Sequence, residues 1–270
     1  MLNDISPTEC GGVLKLRRDV HIGGVSMLEF QSVFSENQPN SEVGTTVAVN
    51  NLNNGVPTKS ARGYCRGGAN NSAVRESFAL SVDQVSNLKA AEGYAKIIGL
   101  PLNRMITIHW EAAGVPLEAM ARSTGRFIDL VSKALSRRGG RTAWLWVHEN
   151  APNWSYEKGG HCHLLIHIPP ELVSYIVRLQ RGWLKRITGQ VYRARVIHSK
   201  PIGGRLGIER GNPAVHAINA EAALGYLLKG ASEDAVSKFA LDRFQPSGRV
   251  IGKRCGTSQN IGRAARSAKQ

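Results

Sequence analysis

The sequence predicts an α+β domain with an antiparallel sheet, and three observations carry that prediction. Four short runs, MITIHW (105–110), TAWLWVHE (142–149), HCHLLIHI (161–168) and VYRARVIH (191–198), are apolar and rich in β-branched or aromatic residues, as strands are. Long helical patterns fill the first and last gaps between them. The middle gap holds only the polar loop APNWSYEKGG (151–160). The order is therefore β-α-β-β-α-β.

Each element has its own signals. Ser81, with Gln84 three residues later, forms a capping-box pattern. Val82, Val85, Leu88, Ala91, Ala95 and Ile98 then recur at helical spacing, and Gly99 ends the run. Pro116 opens PLEAMARSTGRFIDLVSKALSRR, closed by Gly139 and Gly140. Pro170 opens ELVSYIVRLQRGWLKRI, closed by Gly189. A Gly-rich loop (201–213) leads to a last helix, INAEAALGYLLKGA (218–231). The arrangement is ferredoxin-like, with both crossover helices on one sheet face, the other face open to a ligand, and a catalytic helix added at the C-terminal end.

Three regions follow. Residues 36–73 are rich in Asn, Gly and Ser and bury little apolar surface, so 1–76 is expected to be poorly ordered. The domain proper spans 77–232. Residues 233–270 form a tail that from Arg243 onward is basic and without acids, expected as a solvated arm.

The chain has 270 residues, a net charge of +15 and a pI of about 10.1. That imbalance points to a polyanionic partner, nucleic acid before membrane surface. No apolar run spans a bilayer and the first residues lack a signal-peptide pattern, so a cytoplasmic location is expected. Cys10, Cys65, Cys162 and Cys255 are scattered and make no CxxC, which fits reduced thiols rather than a zinc site.

Histidine is a poor core residue, yet three fall within seven residues at 161–167. Side chains alternate along a strand, so His161, His163, Leu165 and His167 share one face and Cys162, Leu164, Ile166 and Ile168 the other. His161 and His163 stand about 6.6 Å apart along the strand, close enough to converge on one ion, whereas His167 lies roughly 13 Å beyond His163. His167 is left to contact DNA or a neighbouring strand. Two nitrogens make an incomplete site, and Glu149, across the predicted hairpin, is the candidate third ligand.

On the last helix Tyr226 and Lys229 are three apart and share a face. A phenol is a weak nucleophile at neutral pH, but a neighbouring ammonium and a divalent ion would assist it. Together these residues suit covalent cleavage of a phosphodiester.

At these residues the chain resembles the HUH endonucleases, and in particular single-tyrosine rolling-circle replication initiator (Rep) proteins of plasmids and phages. MITIHW resembles their first motif, HCHLLI (161–166) their His–hydrophobe–His motif, and Tyr226 with Lys229 their Tyr-x-x-Lys motif, in the same order over about 104–231. The resemblance implies Mg²⁺ or Mn²⁺ held by His161, His163 and an acidic group, here Glu149. It also implies nicking and rejoining of single-stranded DNA at a replication origin, with Tyr226 becoming 5′-phosphotyrosyl-linked. Position 230 is Gly, so the second tyrosine of phage-type initiators is missing. No GxxxxGK[ST] loop is present, which implies a separately encoded host helicase. Arg178, Arg181 and Lys185 on the second crossover helix, and Arg193 and Arg195 on the last strand, are expected to hold DNA phosphates. His109, Trp144, Trp146 or Trp154 are candidates to stack on bases, although Trp144 and Trp146 suit the core better.

Two neighbours compete within the resemblance, a transposase and a relaxase. Lys229 stands where small transposases tend to have Gln, and relaxases tend to supply three histidines. Outside it, a basic ferredoxin-like sheet also suits a non-catalytic RNA- or DNA-binding protein of RRM type, but the strands lack that family's aromatic pattern. An inactive descendant acting as a repressor is a third reading.

Overall fold

The computed structural model describes residues 74–151, 159–203 and 211–268. Most of the expected poorly ordered region, together with Cys10, Cys65 and Trp154, lies outside them. Glu76–Ser77 forms a short strand, β1. Helix α1 is Val82–Ile97, with the Ser81–Gln84 capping box formed in both directions (2.9 and 3.3 Å). Then come β2 (Arg104–His109), α2 (Met120–Ser136), β3 (Trp144–Glu149), β4 (His161–Ile166) and α3 (Val173–Thr188). They are followed by β5 (Ile197–Pro201), α4 (Pro213–Leu228), α5 (Glu233–Phe239), β6 (Val250–Ile251), β7 (Cys255–Thr257) and a short α6 (Arg263–Ser267).

The fold is α+β. Its main sheet has five antiparallel strands in the order β5-β2-β4-β3-β7, and β1 pairs with β6 in a two-stranded sheet. The central strand β4 and its neighbour β2 carry the second and first motifs side by side.

Strand alternation sends the buried residues to two cores. Ile106, Ile108, Trp146, Cys162, Leu164 and Ile166 pack with Phe127 and Val131 of α2 and with Ile176 and Leu184 of α3. Met105, Leu145, Val147 and Leu165 pack with Val85 and Leu88 of α1 and with Ala223, Leu224 and Leu227 of α4. Helices therefore cover both faces, not one. The apolar stripes of α1 and α4 require a second sheet surface to bury them, and the histidine face supplies it.

Two further expectations change. The last strand begins at Ile197, so Arg193 and Arg195 lie in the turn before it. Arg195 sits there at φ 66°, a left-handed backbone that a regular strand excludes. The C-terminal segment is not a solvated arm. β7 joins the sheet edge beside β3, and Arg254 is buried (2% exposed). Its guanidinium donates to Ser77 Oγ (2.9 Å), the Gly248 carbonyl (2.7 Å), the Ser77 carbonyl and Ser247 Oγ. A charge so placed spares the backbone carbonyls a loss of hydrogen bonding that apolar packing would impose.

His148 closes a buried polar chain beneath the sheet. Trp110 Nε1–H donates to Thr124 Oγ1 (2.7 Å), whose hydroxyl meets His148 Nε2 (2.8 Å), and His148 Nδ1–H donates to the Lys253 carbonyl (2.9 Å). Burial pushes His148 down to about 3 from 6.5, so it stays neutral in the folded protein. Between those two values the unfolded chain binds a proton that the folded chain refuses. The stability is therefore complete above pH 6.5 and lost as pH falls toward 3, by up to about 5 kcal/mol. Urea midpoints of the parent should fall between pH 7 and pH 4, and His148→Asn, weaker at neutral pH, should show a flatter fall. Equal slopes would remove His148 from the account.

Candidate metal and tyrosine site

The site grows from two cross-strand rows on the face under α1 and α4. His109, His161 and Glu149 stand in register across β2, β4 and β3. His198, Thr107, His163, Val147 and Cys255 form the next row, running out to β5 and β7. Register alone thus sets Glu149 directly beside His161 and diagonal to His163, within reach of both side chains.

Glu149 Oε2 lies 3.3 Å from His161 Nε2 and 3.5 Å from His163 Nε2, and the three ligand atoms fall within 4.8 Å of one another. Atoms that share one ion at about 2.1 Å stand roughly 3–3.5 Å apart, close to the two Glu149 separations. The outer nitrogens are engaged elsewhere. His161 Nδ1 lies 3.0 Å from the Gly159 carbonyl, which can only accept, so Nδ1 carries the proton. His163 Nδ1 meets Thr107 Oγ1 at 2.9 Å. Both Nε2 atoms are thereby aimed at Glu149, the arrangement that orients metal-ligating imidazoles.

Two buried atoms here have no hydrogen-bond partner, His163 Nε2 and Glu149 Oε1. Such atoms are costly unless something fills the place, and a cation satisfies both. The residues therefore fit a metal ion. Burial pushes the Glu149 carboxyl up, but contacts with His161 and His163 and the charge of Lys229 hold it well below the usual carboxylate range. Burial pushes His163 down to about 4, leaving it neutral and able to ligate.

Helix α4 brings the second half of the site. Asn212 caps it, accepting from Val215 N–H at 3.1 Å, and Pro213 occupies its first turn. The helix starts five residues before the expected 218 and ends at Leu228, leaving Lys229 as its C-cap. The Tyr226 ring centroid lies 5.0 Å from that of His163, edge-on. Lys229 Nζ sits 3.8 Å from the Tyr226 ring centroid and 3.1 Å from Glu149 Oε2. Burial lowers the Lys229 ammonium, but the neighbouring Glu149 charge and Tyr226 raise it above its ordinary value. A tyrosine, an ammonium and a ligand triad therefore share one partly buried space.

The remaining expectations divide. His109 joins the site, its ring 5.4 Å from His161 and 5.8 Å from His198. His167 does not, because its Nδ1 pairs with the Pro101 carbonyl (2.8 Å) beyond the other end of β4. Arg178, Arg181 and Lys185 are exposed on α3, across the sheet from the histidines. Arg193 and Arg195 are exposed beside the β5 edge. Trp146 is buried and Trp144 packs with the α2–α3 core, as their composition suggested. Cys162 and Cys255 are free and buried, and burial pushes their thiols up to about 12 and 11, far from metal-binding thiolates.

Thr107, His198 and the C-terminal loop are the participants that sequence reasoning missed. Thr107 was legible as the β2 position of the same parity as His109. The loop was not: the Gln245 N–H donates to the Lys229 carbonyl (2.8 Å), and Gly248 N–H to the Asn150 carbonyl (2.9 Å), next to Glu149.

No family model, curated protein or solved structure matches the chain. No helix among the described residues is long and apolar enough to cross a membrane.

Proposed function

We propose that this protein is a single-tyrosine HUH endonuclease, a rolling-circle replication initiator that nicks and rejoins single-stranded DNA through a 5′-phosphotyrosine. The observation that carries this reading is the convergence of Tyr226 and Lys229 on the Glu149–His161–His163 group. The strand order β5-β2-β4-β3, with α2 and α3 as crossovers, supports a ferredoxin-like core for it.

Tyr226 Oη is the nucleophile. It forms an Oη–P bond at the scissile phosphate and the P–O3′ bond breaks. The phenolic proton is lost, one proton is gained by the leaving oxygen, and a 3′-OH remains as primer. The Lys229 ammonium stabilises the phenolate and the negative charge that grows on the phosphoryl oxygens. Glu149, His161 and His163 would hold Mg²⁺ or Mn²⁺, and Thr107 and the Gly159 carbonyl fix the imidazoles. A metal held there would supply Lewis-acid polarisation of a phosphate oxygen. A carboxylate as the third group in reach favours an initiator over a three-histidine relaxase. Helices over both sheet faces disfavour an RRM-type platform.

Covalent capture tests the proposal. The protein is incubated with Mn²⁺ and labelled single-stranded oligonucleotides that tile the DNA around its own gene, then run on a denaturing gel. A labelled protein band is expected that requires metal and disappears in Tyr226→Phe and in His163→Ala. Binding without any covalent band across the whole pool would replace the nickase with a non-catalytic DNA-binding protein.

A further inference from the structure

Arg178, Arg181 and Lys185, three of the cations expected to hold the cleaved strand, stand across the sheet from Tyr226, and their arrangement suits another task. On α2, Arg122, Arg126, Lys133 and the flanking Arg137 recur four or seven apart, all exposed. At 3.6 residues per turn they form one row, directly opposite the buried Phe127, Val131 and Leu135. On α3, Arg178, Arg181 and Lys185 form a second exposed row, opposite Ile176, Trp183 and Leu184. The helices pack together, and Arg138, just past α2, stacks 4.5 Å over the Tyr175 ring of α3. The two rows thus lie side by side on the outer surface of one layer.

The charge is one-sided. α2 and α3 carry seven cations against one acid, a net +6, while α1, α4, α5 and α6 carry five cations against five acids, a net of zero. Lys133 pairs with Asp129 (2.8 Å), and no other cation of the two rows pairs with a carboxylate among the described residues. Unneutralised like charges repel and weaken the fold, so such an arrangement is stabilised by an external polyanion. Apolar anchors are sparse there, Val177 being the one exposed large hydrophobic residue of the two helices, which argues against insertion into a lipid surface.

We infer that the outer α2–α3 surface is a second binding face for the phosphate backbone of a nucleic-acid duplex, on the side of the sheet away from the tyrosine. The inference stands on the two cationic rows and not on the cleavage chemistry. A duplex seated here leaves the tyrosine face to a single strand.

Binding of a labelled DNA duplex by the full chain, read by fluorescence anisotropy over a salt series, tests this. In Arg126→Ala/Arg181→Ala the duplex affinity should fall by about tenfold or more. The slope of log affinity against log salt should become shallower by about two, at about 0.9 for each phosphate no longer neutralised. Lys89→Ala, a lysine on α1 in the other layer, should bind as the parent does. Far-ultraviolet circular dichroism and thermal melting confirm that the variants fold. Parent-like duplex binding by the double variant would overturn the inference. So would an equal loss in Lys89→Ala, or row-dependent binding to phosphatidylserine vesicles without duplex binding.

Discussion

His163→Ala should lower affinity for Mn²⁺ by on the order of a hundredfold or more, read by calorimetric titration of the folded protein. His163 is 3% exposed, held neutral by burial and oriented by Thr107, so little freedom has to be lost when it ligates. Alanine removes a ligand and leaves Glu149 with one imidazole. Thr107→Val keeps the ligand and removes only the hydroxyl that orients it, so it should cost about tenfold, at the low end of the range for outer-shell changes. Glu149→Gln should abolish binding outright, since it removes the only anion of the set and leaves the partly buried Lys229 ammonium to repel a cation. Parent-like affinity in all three variants would remove the metal from this site, whatever the tyrosine does.

Arg254→Met should destabilise the protein by about 3 kcal/mol, read as a lower urea midpoint at pH 7. Burial pushes the guanidinium down to about 10, so it is still a cation at that pH. Its fork reaches four acceptors: the Ser77 and Gly248 carbonyls and the Ser77 and Ser247 hydroxyls. Methionine fills much of the volume and leaves the carbonyls unsatisfied, at about 1–3 kcal/mol for each buried group, while relief of the charge's desolvation returns part of that. Arg254→Lys retains the charge but not the planar fork, and should fall between the two. The loss has a functional side, because the same loop meets the Lys229 and Asn150 carbonyls next to the site. A midpoint change worth less than about 1 kcal/mol would mean that the loop is held by other contacts.

The local pieces were readable because each depends on neighbours in the chain. The Ser81–Gln84 box, the glycine at the end of α3 and the four strand runs follow from capping, left-handed backbone and alternation, which act within a few residues. The His161–His163 pair and its Glu149 neighbour were readable for the same reason, since one hairpin joins them. The start of β5 was misjudged because Tyr192 and Ala194 alternating with Arg193 and Arg195 imitate a strand, while the backbone there turns through a left-handed residue.

What the sequence by itself determined is the order of the β-α-β-β-α-β core, the His161–His163 pair, the Tyr226–Lys229 spacing and the basic charge. All are properties of short segments or of composition. The tertiary structure alone decided that α1 and α4 cover the histidine face, that α4 delivers Tyr226 to within 5.0 Å of His163, and that Arg178, Arg181 and Lys185 stand on the opposite layer. It also decided that a tail rich in cations folds around a buried arginine. These placements depend on which apolar surfaces find each other across tens of residues, and no local pattern encodes that. Charge was the weakest guide, because a cation's place is set by the helix that carries it and by the face which that helix must bury.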